Sequence, residues 1–69
     1  MKIKNYSKQE LALLYFPESM PRAATKRLMR WIYHCEPLLK RLTLQHYQRT
    51  DKMFTSRQVK AIIHFIGEP

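Results

Sequence analysis

With one glycine, Gly67, the chain has no material for a phosphate-cradling loop of the Walker or dinucleotide type, which needs glycines grouped ahead of a helix. Nucleotide hydrolysis is thereby excluded. One cysteine, Cys35, excludes an internal disulfide, and its place on the apolar stripe of a helix suits a reduced thiol acting as a small hydrophobe. The expected setting is reducing and cytoplasmic. Acids are scarce as well: Glu10, Glu18, Glu36, Asp51 and Glu68 are scattered, three of them at helix boundaries, and no two form an acid/base pair. Cys35 and His34 are neighbours in a helix, about 100° apart, so they do not face each other as nucleophile and base. Cys35, His46 and His64 lack the paired spacing of zinc ligands. The longest apolar run, Leu11 to Phe16, falls far short of the ~20 residues of a membrane span. Met1-Lys2-Ile3-Lys4 has the charges of a signal segment without the apolar stretch that follows one. These absences predict a protein that is not an enzyme and has no cofactor, metal, small-molecule substrate or membrane partner.

What the chain does have is positive charge, 13 Lys and Arg against 5 Asp and Glu, a formal net charge of +8 on 69 residues. Such an excess calls for an anionic partner. A chain this short buries roughly 60% of the surface its unfolded form exposes, so it supports one domain, residues 1–69, whose core must use nearly every large apolar side chain.

Local signals divide the chain. Residues 1 to 6 alternate charged and apolar side chains, the pattern of a short extended arm. Ser7-Lys8-Gln9-Glu10 is a capping box that starts a helix at Lys8, with Tyr6 and Leu11 placed as a hydrophobic staple and Leu11, Leu14 and Tyr15 as an inward stripe. Pro17 stops that helix. Ser19 or Met20 begins a second, with Pro21 in its first turn and Ser19 as the better cap, and Ala24, Leu28, Trp31, Ile32 and Cys35 carry its apolar stripe to about His34. Leu38, Leu39 and Leu42 mark a third short helix after Glu36-Pro37, ending near Gln45 or His46. Tyr47 to Phe54, two aromatics around a polar loop, reads as a short β-hairpin wing over 47–54. Thr55-Ser56-Arg57-Gln58 is a second capping box, followed by Val59, Ile62, Ile63 and Ile66 on one side and closed by Gly67 and Pro69. The expected fold is mostly α: a compact helical domain of about four helices.

The second helix is the functional candidate. No acid occurs between Glu18 and Glu36. Projected at about 100° per residue, Arg22, Lys26, Arg30 and Tyr33 share little more than one quadrant opposite the apolar stripe, with Met29 and Thr25 on one side and Arg27 and His34 on the other. A helix docked by one stripe and offering cations on the other meets the requirement for entering a DNA groove. Arginine pairs bidentately with guanine, lysine mainly supplies charge to phosphates, and Thr25 and Tyr33 hydrogen-bond to either. Arg49 and Lys52 in the wing are placed to meet the neighbouring backbone or minor groove. Lys2, Lys4, Lys8, Lys40, Arg41, Arg57 and Lys60 supply a diffuse field.

Glu10-Leu11-Ala12 with Leu14-Tyr15, then Ala24, Leu28, Arg30, Trp31 and Ile32, then Phe54-Thr55 with Gln58-Val59, and the ending Ile66-Gly67-Glu68-Pro69 resemble a family of short bacterial proteins catalogued only as a domain of unknown function. That resemblance covers nearly the whole chain. The order of elements is also similar to the winged helix-turn-helix heads of MerR-type regulators and phage-like excisionases. This second resemblance implies that Pro21 to His34 is a recognition helix contacting DNA through Arg22, Lys26, Arg27 and Arg30. The chain departs from that pattern twice: Tyr15-Phe16-Pro17 stands where such heads often carry a glycine, and the Pro37 to Gln45 segment inserts a helix before the wing.

The reading that follows is a winged helix-turn-helix module that binds double-stranded DNA as a small transcriptional regulator or accessory architectural factor. A homodimer or a protein partner would be needed to read a long site. The alternative is a non-enzymatic adaptor whose basic face docks on an acidic protein, with Trp31 or Tyr33 as anchor. RNA is a weaker third reading, since the sheet-borne aromatic motifs that stack bases are missing.

Overall fold

Both capping boxes form as the sequence predicts. The Ser7 hydroxyl accepts from the Glu10 amide at 3.0 Å while the Glu10 carboxylate accepts from the Ser7 amide at 3.2 Å. Thr55 and Gln58 repeat the exchange, at 3.3 Å and 3.0 Å. Replacing either cap by alanine removes the acceptor for an end amide, so Ser7→Ala and Thr55→Ala are each expected to cost about 1 kcal/mol in urea denaturation.

The computed structural model describes residues 1–69. Its elements run β1 (Tyr6–Ser7), α1 (Lys8–Tyr15), α2 (Pro21–His34), α3 (Glu36–Leu44), β2 (Met53–Phe54) and α4 (Ser56–Ile66). The 47–54 segment contributes a strand, and its partner is the amino-terminal arm: Tyr6 pairs with Phe54 and Ser7 with Met53, antiparallel. The pairing therefore does not close within 47–54 as a hairpin. The segment lacks a tight two-residue turn signal, and the arm supplies an extended edge instead. Residues 48–51 form a turn closed by Asp51 N–H to Gln48 O at 3.0 Å and Gln48 N–H to Asp51 Oδ2 at 3.1 Å.

α1 packs along α2 and α3 against α4, α2 also touches α3 and α4, and the strand pair links the two ends, β1 contacting α1 and β2 contacting α4. The core joins Tyr6, Leu11, Ala12, Leu28, Ile32, Leu38, Leu42, Tyr47, Phe54 and Ile62 with their smaller neighbours. Tyr47 and Phe54 stack with centroids 5.4 Å apart at 24°. The one buried polar residue, Gln58, is satisfied at both ends of its amide, since Oε1 accepts from Thr55 and Nε2 donates to Gln45 O at 3.0 Å.

Three details of the sequence reading are corrected. Ser19 is not the cap of α2; Met20 takes that position without a side-chain bond, because Pro21 sits at the first helical residue and leaves Ser19 one place too early. Leu14 is 43% exposed, and Ala12 is the buried residue beside Leu11. Trp31 is 46% exposed, while Met29 is buried with Ala24, Leu28 and Ile32. The buried face of α2 is thus turned toward Met29, and Trp31 falls on its rim.

α3 ends in a Schellman motif, with Tyr47 N–H on Leu42 O at 2.9 Å and His46 N–H on Thr43 O at 3.1 Å. His46 occupies the left-handed position at φ 64° that glycine usually fills. His46→Gly relieves about 1–2 kcal/mol of backbone strain and adds about 0.4–1 kcal/mol of unfolded-state entropy. Thermal denaturation is expected to show a small net stabilisation.

Candidate nucleic-acid interface

Arg22, Lys26 and Arg30 recur every fourth residue on α2, so they form one exposed row about 12 Å long. No carboxylate lies within 4.0 Å of any of them, the only ion pair of the molecule joining the Met1 ammonium to Glu68 at 3.8 Å. The row is therefore unneutralised positive charge on a rigid element, and its like charges persist only because water and counterions screen them.

Arg27, beside that row, turns away from it. Its guanidinium lies 4.5 Å over the Phe16 ring, and Nη1 donates to Ser19 Oγ at 3.4 Å. Trp31 meets the same ring edge-on at 4.8 Å and Tyr15 at 6.5 Å. Arg27 and Trp31 thus form an arginine-aromatic rim on the α1–α2 turn.

Thr25 is half-buried and donates to Pro21 O at 2.9 Å, which leaves its oxygen only as an acceptor. It lines a shallow groove with Ser7, Lys8, Gln9 and Lys52, where the start of α1 approaches α2. The Lys52 carbonyl accepts from the Lys8 amide at 2.9 Å, so the turn after α3 is pinned to the first turn of α1.

Toward the carboxyl-terminal end of α2, Arg49 stacks 4.6 Å over Tyr33 and donates from Nε to the Tyr33 hydroxyl at 3.3 Å. Lys8 Nζ donates to Arg49 O at 3.0 Å and lies 5.0 Å from the Tyr47 ring and 5.9 Å from Phe54. The fold therefore brings Tyr33, Arg49, Lys52 and Thr25 to the side of the Arg22-Lys26-Arg30 row and draws Arg27 away from it. Lys8, assigned by sequence only to the diffuse field, is part of this cluster. Its contact with Arg49 spans 41 residues, and no local pattern announces it.

Electrostatics follow the geometry. Burial lowers the Lys8 ammonium from its usual value, opposed by Tyr33 and Asp51. Burial works to raise Tyr33, but the hydrogen bond from Arg49, the neighbouring Tyr47 hydroxyl and the adjacent cations outweigh it and the phenol ends below its ordinary value. Tyr47 moves the other way, raised by burial and then by Tyr33. Tyr15, whose hydroxyl donates to Gly67 O, is raised by burial and by Glu68 to about 12. A phenol with a folded value above its unfolded value of about 10 stabilises the fold fully below pH ~10 and loses that contribution as pH climbs through the folded value. A phenolate absorbance titration is expected to show Tyr33 ionising before Tyr15 and Tyr47. The helical signal should weaken from about pH 10 to 12, and Tyr15→Phe should reduce that alkaline loss.

No three His, Cys, Asp or Glu side chains converge on a metal position. No helix is long and apolar enough to cross a membrane. Residues 2–69 match the family described as Domain of unknown function (DUF4248), and the chain belongs to that family. No curated protein and no solved structure matches it.

Proposed function

We propose that this member of the family is a non-enzymatic module for double-stranded DNA, serving as a small transcriptional regulator or an accessory architectural factor in the cytoplasm. The observation that carries the proposal is the unpaired Arg22-Lys26-Arg30 row on the exposed side of α2. A helix with its side chains is about 10–12 Å across, close to the width of the major groove, so α2 fits there as a recognition helix. α1 and α2 then act as a helix-turn-helix pair. The turn carrying Arg49 and Lys52 takes the place of a wing, since it lies against Tyr33 and the start of α1. Thr25, Tyr33, Arg49 and Lys52 flank the row and meet the backbone, while Arg27 reaches only its edge.

Fluorescence anisotropy with a random duplex, repeated across salt concentrations, tests this. Three to six neutralised phosphates give a slope of log affinity against log salt between about −2.7 and −5.4. A slope near zero would remove the electrostatic basis of the proposal.

A specific observation favours a second reading. Trp31 is 46% exposed beside Arg27 and Phe16, and an arginine with aromatics is the usual composition of an interface anchor. An adaptor for an acidic protein would use that rim. Trp31→Ala should then abolish binding to such a partner, whereas it leaves duplex affinity within about threefold under the DNA reading, as the rim lies off the basic row.

A further inference from the structure

Between α2, α3 and the turn after Tyr47 lies a cavity of about 340 Å³ lined by Tyr33, Leu39, Thr43, Tyr47 and Arg49. The polar groups it holds are donors. The Tyr33 oxygen accepts from Arg49 Nε, which leaves its own proton free to donate. Arg49 uses Nε alone within the protein, so its terminal N–H groups are unspent. The Tyr47 hydroxyl belongs to a residue only 6% exposed and makes no hydrogen bond of normal length; its polar neighbour is the Tyr33 hydroxyl, toward which it leans as donor. A buried O–H left in that state costs stability until an acceptor reaches it. Thr43 spends its proton on Leu39 O at 2.9 Å, and with Leu39 it forms the less polar wall.

The surroundings are mainly cationic, with one carboxylate, Asp51, nearby. Lys8 sits beside the cavity through its bond to Arg49 O. The carboxylate whose field reaches both Lys8 and Tyr47, that of Asp51, is engaged by the Gln48 amide. The phenol of Tyr47 is held in its protonated, donating form by burial.

We infer that this cavity is a seat for a phosphate group, held by the Arg49 guanidinium and the hydroxyls of Tyr33 and Tyr47. Donors from three side chains, outnumbering the hydroxyl oxygens of Tyr33 and Thr43 that can accept, suit a tetrahedral oxyanion better than a planar carboxylate, which the guanidinium fork alone would satisfy. The stacking of Arg49 on Tyr33 fixes the fork in advance, so little side-chain freedom is lost when the anion arrives. The group has two sources with the same chemistry. One is the duplex backbone, in which case the inference rests on the DNA reading; the other is a free phosphorylated molecule, in which case it does not.

Nuclear magnetic resonance titrations of the whole chain distinguish these. Inorganic phosphate, added at constant ionic strength against chloride, is expected to shift the Arg49 Nε, Tyr33, Leu39, Thr43 and Tyr47 signals saturably. Arg49→Gln should weaken that binding about tenfold or more. Tyr47→Phe should weaken it several-fold with the remaining spectrum unchanged, which also shows that the variant is folded. Acetate at equal concentration should shift the signals only weakly. A short duplex that moves the same signals and competes with phosphate identifies the backbone as the source; a duplex that binds elsewhere, or not at all, while phosphate still saturates the seat identifies a free ligand, and both outcomes support the seat. Absence of a saturable phosphate response, titration of Arg49→Gln and Tyr47→Phe like the wild type, or equal affinity for acetate would overturn it.

Discussion

Replacing Arg22, Lys26 and Arg30 together by glutamate is expected to lower duplex affinity by about a thousandfold or more, while the helical content and the urea midpoint stay close to those of the wild type. The size follows from three charge-assisted contacts at about 1.5–3 kcal/mol each, replaced by repulsion from the phosphates. The fold tolerates the change because all three side chains are exposed and unpaired, and surface changes of that kind usually stay within about 0.5 kcal/mol. Arg22 lies in the first turn of α2, where a glutamate also suits the positive end of the helix dipole. A matched control separates the row from the general field: Lys40→Glu, Arg41→Glu and Lys60→Glu reduce the formal charge by the same amount from exposed positions on α3 and α4. That variant should lose only about tenfold, the share of long-range attraction.

The second large effect concerns the fold. Phe54→Ala is expected to cost about 3–5 kcal/mol for the cavity, and the lost stack on Tyr47 adds about 0.5–1.5 kcal/mol. Phe54 is fully buried, is paired through its backbone with Tyr6, and lies beneath the Lys8 ammonium. At about 0.05–0.15 kcal/mol per residue, a domain of this length has roughly 3.5–10 kcal/mol of stability, so the loss takes about a third of it at the least and all of it at the most. Urea denaturation followed by circular dichroism should show the variant largely unfolded or shifted to a much lower midpoint. Leu44→Ala is the contrast, since Leu44 is 79% exposed and its removal should change stability by less than about 0.5 kcal/mol.

These expectations show which parts of the molecule are written locally in the chain. The starts of α1 and α4 are legible because a capping box is completed within four residues, and the end of α1 because Pro17 acts on its immediate neighbour. α2 is legible as a helix because its apolar period continues to His34. Periodicity fixes how side chains are spaced around that helix, but not the angle at which it is docked. The docking angle is set by α1 and α3, and it is why Met29 is buried and Trp31 is not. The partner of β2 was illegible for a related reason: Tyr6 and Phe54 are far apart in sequence, and two-residue strands carry no alternation by which to match them.

The candidate interface divides in the same way. Arg22, Lys26 and Arg30 share a row by helix geometry alone, so sequence sufficed to place them together. Arg27 lies beside the row by spacing, and the Phe16 ring and the Ser19 hydroxyl hold it at the rim. Lys8 and Arg49 meet because the 48–51 turn folds back onto the start of α1, a tertiary event with no local signature.

The most direct measurement is the footprint of a short duplex on the amide and side-chain signals of the whole chain at low salt. Signals of Arg22, Lys26 and Arg30, with those of Thr25, Lys52 and Arg49 beside them, are expected to move on addition of duplex and to return as salt is raised. Signals of Leu39 to Leu44 away from the cavity, and those of the Trp31 rim, should move little. A spectrum unchanged by duplex, or changes confined to the Trp31 rim or to the exposed side of α3, would contradict the DNA proposal.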